Sequence, residues 1–464
     1  MILRTLGVAD PRRQEAEQLS IIQQWRGTVG CAKRKALPIL TALLLVLSVA
    51  LVVTVVPIMG AAPLPVFYVA PTGSDSAGNG TISSPFATIS HAVAGATSGS
   101  TVIVEPGIYR EMVLVTTQIT LVSQSSQPST TIVDATGKPV GIVVQGSGAA
   151  GTVIQGFTVE NAENEGIYVQ DSSNVIVENN VVNHNGLNVI KGLGEIKGIQ
   201  LTGTSDSTVA GNTVADNLYG GIGVTDDGPI NPSWNSTAAP GAGIPAGSAN
   251  PGNGNTISGN IVARNRPNHC AIVVSAYNQG EGVANNIVSN NLVVDNQNGV
   301  IVAADTPNTS ATNNTIISNN ILNNGEGGVI IHSNAPGDVV TGNAIINNVF
   351  NANGYAPGLV GIVMGGEGPV AVQSTTITGN TFQNEVTGIQ IVNAKQTLVG
   401  GNVMEATVQL PVNGTVTIIN VPSATAVTST GIASLALPTA IGTLIVGLIA
   451  GMIVSPFHKR RETV

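Results

Sequence analysis

The middle of this chain repeats itself, and that repeat constrains its fold more than any other feature. One half-unit is a Gly followed by alternating apolar residues. It occurs at Gly141, Gly166, Gly198, Gly221, Gly299, Gly328, Gly361 and Gly388, with Ala271 in the same slot. The other half-unit is an Asn ahead of a short apolar run, at Asn180, Asn212, Asn260, Asn291, Asn320, Asn343, Asn380 and Asn402. The two alternate from residue 156 to 402. Successive Asn anchors are closest at Asn380 and Asn402, 22 residues apart, and most distant at Asn212 and Asn260, 48 apart. A coil of about 22 residues with loop insertions accounts for every interval.

Each apolar run is three to five residues long with period 2, which is strand chemistry. Strands so short cannot bury a core alone. Stacked about 4.8 Å apart they can, with Ile and Val pointing inward. The recurring Asn is expected to form a hydrogen-bonded ladder at one turn, satisfying backbone groups that the turn leaves unpaired. The predicted fold class is all-β: a right-handed, single-stranded parallel β-helix over residues 64–420. A short amphipathic helix over Pro85–Ala96, with Phe86, Ile89 and Val93 on one side, is predicted to cap its N-terminal end.

Two charge-free apolar runs flank this segment. Leu37–Met59 has 23 residues and follows Lys33, Arg34 and Lys35. It is long enough to cross about 30 Å of hydrocarbon. Gly431–Ser455 precedes His458, Lys459, Arg460 and Arg461. The positive-inside rule then predicts helices over 37–59 and 431–455, with both termini cytoplasmic (residues 1–36 and 456–464) and the β-helix on the extracellular face of the cell membrane. The alternative for the first run is a cleaved signal peptide. Residues 421–430 (VPSATAVTST) read as a linker. Gly447 and Gly451 form a GxxxG pair that could join two copies into a homo-oligomer.

Residues 60–430 carry seven basic and 22 acidic side chains, a net −15. That excludes nucleic acid as a partner. The only cysteines, Cys31 and Cys270, cannot make a disulfide framework. Five Asn-x-Ser/Thr sequons, at Asn79, Asn235, Asn308, Asn313 and Asn413, fit an exported surface.

Together the Gly and Asn half-units resemble the right-handed parallel β-helix proteins, the pectate-lyase-like superfamily that includes NosD-like periplasmic proteins. The likeness covers roughly residues 66–415. The stretches Phe67–Asp75, Gly80–Ile89 and Thr101–Glu111 are similar to that superfamily's entry segment. The resemblance implies the fold. It leaves function open, because lyases, hydrolases, epimerases, adhesins and structural proteins share it.

Loops on a solenoid tend to gather on one face. The turn between an Asn strand and the next Gly strand holds Lys191, Lys197, Arg264 and Arg266, four of the segment's seven basic residues, with His184 and His269. Glu160, Glu163, Glu165, Asp216, Tyr219 and Asp295 share it. Lyase chemistry needs a base beside a carboxylate and positive charge for the developing enolate. Lys191, Lys197, Arg264 and His269 are the catalytic candidates for that, with Tyr219 as acid. Hydrolysis needs two carboxylates, with Asp216, Asp226 and Asp227 the nearest candidates. His184 and Arg266 are substrate-binding candidates. So is Trp234, in the Pro/Gly-rich insertion Asp226–Asn255, as a sugar-stacking platform, unless it only pins the loop. No Gly-His-Gly or Arg-Ile-Lys segment of the polygalacturonase kind is present. No His/Met/Cys cluster has metal-ligand spacing, and no cofactor is expected. Calcium would have only Asp226 and Asp227, without any supporting calcium repeat. His332, after Val329–Ile331, is expected to point outward.

The expected function is binding or processing of polysaccharide at the cell surface. An enzyme would be a polysaccharide lyase or glycoside hydrolase. The alternative is a non-catalytic adhesin or envelope module.

Overall fold

A computed structural model describes residues 63–187, 196–226, 250–265, 270–354, 360–365 and 370–404, and four later strands ending at Ala433–Ala436. These strands lie in the compact unit Leu64–Val464. They form three long sheets of parallel strands, the architecture of a right-handed parallel β-helix. A coil runs through sheet I, sheet II and sheet III in turn. Ile176–Glu178, Val181–Asn183 and Ile199–Thr202 are one such passage. Thr208–Ala210, Thr213–Ala215 and Ile222–Thr225 are the next.

Apart from Gly107–Tyr109, whose Ile108 is exposed, the three-residue strands of sheets I and II bury their middle residue. On sheet I this inward column includes Val177, Val209, Ile257, Val288, Ile316, Ile345 and Ile377. On sheet III, Ile167, Ile199, Ile222, Ile272, Val300, Val329, Ile362 and Ile389 follow one another in register. Phe350 and Phe382 stack inside sheet II with centroids 4.8 Å apart. Identical shapes repeating at coil spacing let each side chain bury against its own equivalent.

Three polar ladders hold the turns, where one was expected. Within a coil their members are five residues apart, as in Asn314, Asn319 and Asn324. The first ladder, immediately before sheet I strands such as Ile287–Ser289 and Thr315–Ile317, runs Ser207, Asn255, Asn286, Asn314, Asn343. The second, between sheets I and II, runs Asn180, Asn212, Asn260, Asn291, Asn319, Asn348, Asn380, Asn402. At each of its steps the backbone N–H donates to the next Asn Oδ1 over 2.9 Å. The third, ahead of sheet III, runs Asn185, Asn217, Asn265, Asn296, Asn324, Asn353 and ends on Glu385. Two expected anchors therefore change place. Asn320 is exposed and its neighbour Asn319 is the ladder residue, and Asn343 belongs to the first ladder.

Helix α1 spans Ile89–Ala94, shorter than expected, because Pro85 and Phe86 are held extended by backbone bonds between Phe86 and Tyr68 and between Ala70 and Phe86. Its N-terminus is heavily capped. Asp75 accepts from Ala87 N and Thr88 N, Thr88 accepts from His91 N, and Glu111 accepts from Ile89 N and Ser90 N. Ile89, Ala92 and Val93 join the core with Val69, Val102 and Val113.

The run 37–59 lies outside the described residues. Among the described residues no helix is long and apolar enough to cross a membrane. The expected linker 421–430 contains the strand Ala426–Ser429, paired with Thr407–Leu410. The start of the second apolar run forms the strand Ala433–Ala436, paired with Gly414–Thr417. There the chain extends the sheets where a helix was expected, and the β-branched Val427, Thr428, Thr415, Val416 and Thr417 suit that extension. The rest of that run, with Gly447 and Gly451, is outside the described residues.

Candidate functional site on the outer face of sheet III

Several expected site residues sit on one corner. His184, Asp216, Arg264, Asp295 and Asn323 each immediately precede a third-ladder Asn, and all have φ between 52° and 59°. They therefore form one outward column, one residue per coil. Arg264 closes on Asp216 as a two-pronged pair, with Nε donating to Oδ1 over 2.9 Å and Nη2 to Oδ2 over 2.7 Å. The guanidinium bond holds the Asp216 carboxyl below its ordinary range. Asn323 Nδ2 donates to Asp295 Oδ1 over 2.5 Å. Within the column Arg264 directs its fork to Asp216, while Asp295 is met by the neutral Asn323.

Lys197 is elsewhere. It is buried at 1% exposure, and its stem lies across Gly220, where a Cβ would meet its Cδ at 2.5 Å. One coil back in register is Glu165, also buried, whose carboxyl is pushed up to about 8 by desolvation against the pull of Lys197. Lys197 thus belongs to the solenoid wall. Tyr219 is half-buried on the turn ahead of Gly221. Lys191, Asp227, Trp234, Arg266 and His269 lie outside the described residues.

Asp226 ends the strand Ile222–Thr225 and is 2% exposed. Its Oδ1 accepts from Tyr277 N over 2.7 Å and its Oδ2 from Asn278 N over 3.1 Å. It caps the next coil's turn. Burial pushes its pKa from 3.8 to about 6, with the two N–H groups pulling it back. The unfolded chain releases this proton first as pH rises. The group's stabilisation is therefore full below 3.8 and lost on passing from 3.8 to about 6. An Asp226→Asn variant is expected to gain stability relative to the parent across that window. Urea midpoints of the two proteins at pH 4 and pH 7 measure this.

A cluster that no single stretch of sequence announces lies on the outer face of sheet III. Register pairing puts Ser275, Ala303 and His332 in one outward row on three successive coils. Asp305, two residues past Ala303, reaches both neighbours. Its Oδ2 accepts from the buried Ser275 Oγ, and its Oδ1 lies 3.1 Å from His332 Nε2. Asn334 Nδ2 donates to the same Oδ1 over 2.6 Å. The small Ala303 leaves the carboxylate room to bridge two coils. His332 and Asp305 are partly exposed, at 19% and 15%. Beside them Ile301, Ile330 and Val363 form a half-buried apolar strip. At the strip's other margin Glu326 accepts from Gln297 Nε2 and Asn298 Nδ2. Aligning the half-units on their Gly would have revealed this group, since GVIVAAD and GVIIHSN place Ala303 opposite His332 and Asp305 opposite Asn334.

Chemically this is a carboxylate–imidazole pair beside an apolar floor. Ser275 is no nucleophile: it is buried and bonded to the carboxylate, with Asp305 between it and His332. Glu326 lies eight residues before Asn334, the position opposite Asp305, about 26 Å at strand rise. Paired carboxylates for glycoside hydrolysis need about 5–9.5 Å. Among the described residues no group of three His, Cys, Asp or Glu is placed to hold a metal ion.

The family description "right handed beta helix region" matches residues 129–316 of this chain. Solved structures similar to it include the family 28 exopolygalacturonase of Yersinia enterocolitica, at 12% identity, covering 80% of this chain and 78% of that one, with a TM-score of 0.45. The Streptococcus pneumoniae surface protein and adhesin PfbA is similar at 13% identity, covering 73% and 91%, TM-score 0.45. The A-module of the Azotobacter vinelandii mannuronan C-5 epimerase AlgE4 is similar at 15% identity, covering 73% and 91%, TM-score 0.45. These likenesses concern the fold alone. No curated protein matches the chain by sequence.

Proposed function

We propose that this protein is a glycan-binding β-helix whose contact face is the outer side of sheet III. The observation that carries the reading is the half-buried strip Ile301, Ile330 and Val363 beside the Asp305, His332 and Asn334 group. A sugar ring needs both an apolar floor and a few convergent polar groups. The strip runs over three successive coils, which suits an extended chain ligand. Binding is favoured over processing because Arg264 is paired with Asp216 and Lys197 is buried in the wall.

The test is retention of the purified protein on immobilised neutral and acidic polysaccharides, with new reducing and unsaturated ends followed in parallel. Asp305→Ala and His332→Ala are each expected to weaken binding at least tenfold, with no new chain ends from any variant. Ends that appear with the parent and vanish with His332→Ala would replace the binding reading by a processing one. Unchanged retention in both variants would sink the site. Extracellular exposure and attachment through residues 37–59 belong to the same proposal. Removing residues 1–62 together with 437–464 is expected to move the protein from the membrane to the soluble fraction.

A further inference from the structure

A second groove lies at the corner between sheets I and II, away from the sheet III face. In most coils this corner is a tight turn, as at Gln155-Gly156-Phe157-Thr158. In the coil before it the chain instead makes an outcrop, Gln124–Thr130, ending in a 3-10 turn over Pro128–Thr130. The outcrop is pinned at its root. Ser123 Oγ and Thr131 Oγ1 are 2.7 Å apart, Ser123 Oγ accepts from Ser125 N, and Pro128 O accepts from Thr158 Oγ1. It therefore overhangs the corners of the following coils and forms with them a half-open groove of about 680 Å³. That lies within the range of about 300–1,000 Å³ usual for ligand pockets.

The groove's chemistry is distinctive in this acidic protein. None of the thirteen residues lining it carries a charge. Its polar groups are amides and hydroxyls, chiefly Gln124, Ser125, Ser126, Gln155, Asn179 and Thr213, with apolar contact from Val122, Pro128 and Val181. The floor is low because two corner positions beside Asn179 are the glycines Gly156 and Gly211, both with positive φ. Asn179 lays its Oδ1 across Gly211, 2.7 Å from where a Cβ would stand. Paired donors and acceptors above a partly apolar floor match the hydroxyls and C–H faces of an uncharged sugar. A carboxylated sugar would be desolvated there without a cation to meet it.

We infer that this groove is a second saccharide site, specific for a short neutral oligosaccharide. It is separate from the sheet III face and goes beyond the function proposed there. The full-length protein would be titrated calorimetrically with maltotetraose, cellotetraose and xylotetraose, and with tetragalacturonate as the charged probe. At least one neutral tetrasaccharide is expected to bind and tetragalacturonate is not expected to compete with it. Thr213→Trp fills the groove from its floor and Ser126→Trp from the exposed wall. Titrated in a His332→Ala background, in which the sheet III face is disabled, each is expected to weaken the remaining neutral binding at least tenfold. The inference falls if no neutral probe binds, if tetragalacturonate displaces it, or if binding survives both Trp variants with native circular dichroism. Binding that follows His332→Ala instead would assign it to sheet III and overturn the second site alone.

Discussion

Asn319→Leu is expected to unravel the coils around it, whereas Asn320→Leu, one residue along, is expected to be nearly silent. Asn319 is fully buried. Its Nδ2 donates to Asn348 Oδ1 over 3.0 Å and to Val288 O over 2.8 Å. Its Oδ1 accepts from both the N–H and the Nδ2 of Asn291, each over 2.9 Å. Leucine has a similar volume and none of these groups. At least two buried donors on Asn291 then lose their acceptor, each at about 1–3 kcal/mol. The sum of about 2–6 kcal/mol is large against a typical stability of about 5–15 kcal/mol. A solenoid also transmits the fault to its neighbours, because each coil is held only by the next. Asn320 begins the strand Asn320–Leu322, is exposed, and keeps its backbone bond to Asn291 O under any substitution except proline. Its change is expected to stay within about 0.5 kcal/mol. Urea unfolding of both variants by far-UV circular dichroism decides the matter. Equal midpoints would mean that the ladder contributes nothing.

That contrast also marks where the sequence was legible. The Gly and Asn rhythm reports coil closure, so the β-helix, its inward Ile and Val and the existence of an Asn ladder could all be read. The number of ladders could not be read from one Asn per coil. It needed the five-residue spacing of Asn286, Asn291 and Asn296, which is diluted by other Asn in the turns. Charge was a poorer guide than register. Arg264 and Lys197 both look like turn residues, yet one is an edge residue paired with Asp216 and the other is buried over a glycine. Nothing in either short motif distinguishes them, because what differs is the side chain one coil away. His332 was visible as a single residue and became a cluster only when Ser275 and Asp305 arrived from neighbouring coils. The capping helix was legible, but with bounds that were too wide. Pro85–Ala96 has helical patterning, but Phe86 bonds to Tyr68 and leaves only Ile89–Ala94 to coil.

Gly299→Val is the other change expected to be severe, and it tests why the Gly half-unit exists. Gly299 has no positive φ to explain it, so the reason is space. A Cβ there would stand 2.0 Å from the carbonyl oxygen of Gly328 and 3.0 Å from Ile321 Cγ2. The same crowding recurs up the column. Gly328 faces Gly361 O at 2.5 Å and Phe350 Cδ1 at 2.6 Å, and Gly361 faces Gly388 O at 2.8 Å and Phe382 Cδ1 at 2.7 Å. Bulky residues of sheet II are tucked under the glycines of sheet III, so the core gains a phenyl ring where a methyl would have stood. The obstructing atom at Gly299 is backbone, held in a parallel ladder, and cannot rotate away as a side chain would. Valine must therefore push adjacent coils away from each other, at a cost of about 3 kcal/mol or more. Gly95→Ala is the control. Gly95 has φ −88° and its nearest Cβ contact would be 3.8 Å, so alanine fits without displacement. It is expected to be neutral or to stabilise by about 0.4–1 kcal/mol, because it narrows the unfolded ensemble. Thermal and urea unfolding of the two variants would separate these outcomes. A Gly299→Val protein as stable as its parent would show that the column relaxes freely, and that close backbone approach does not select its glycines.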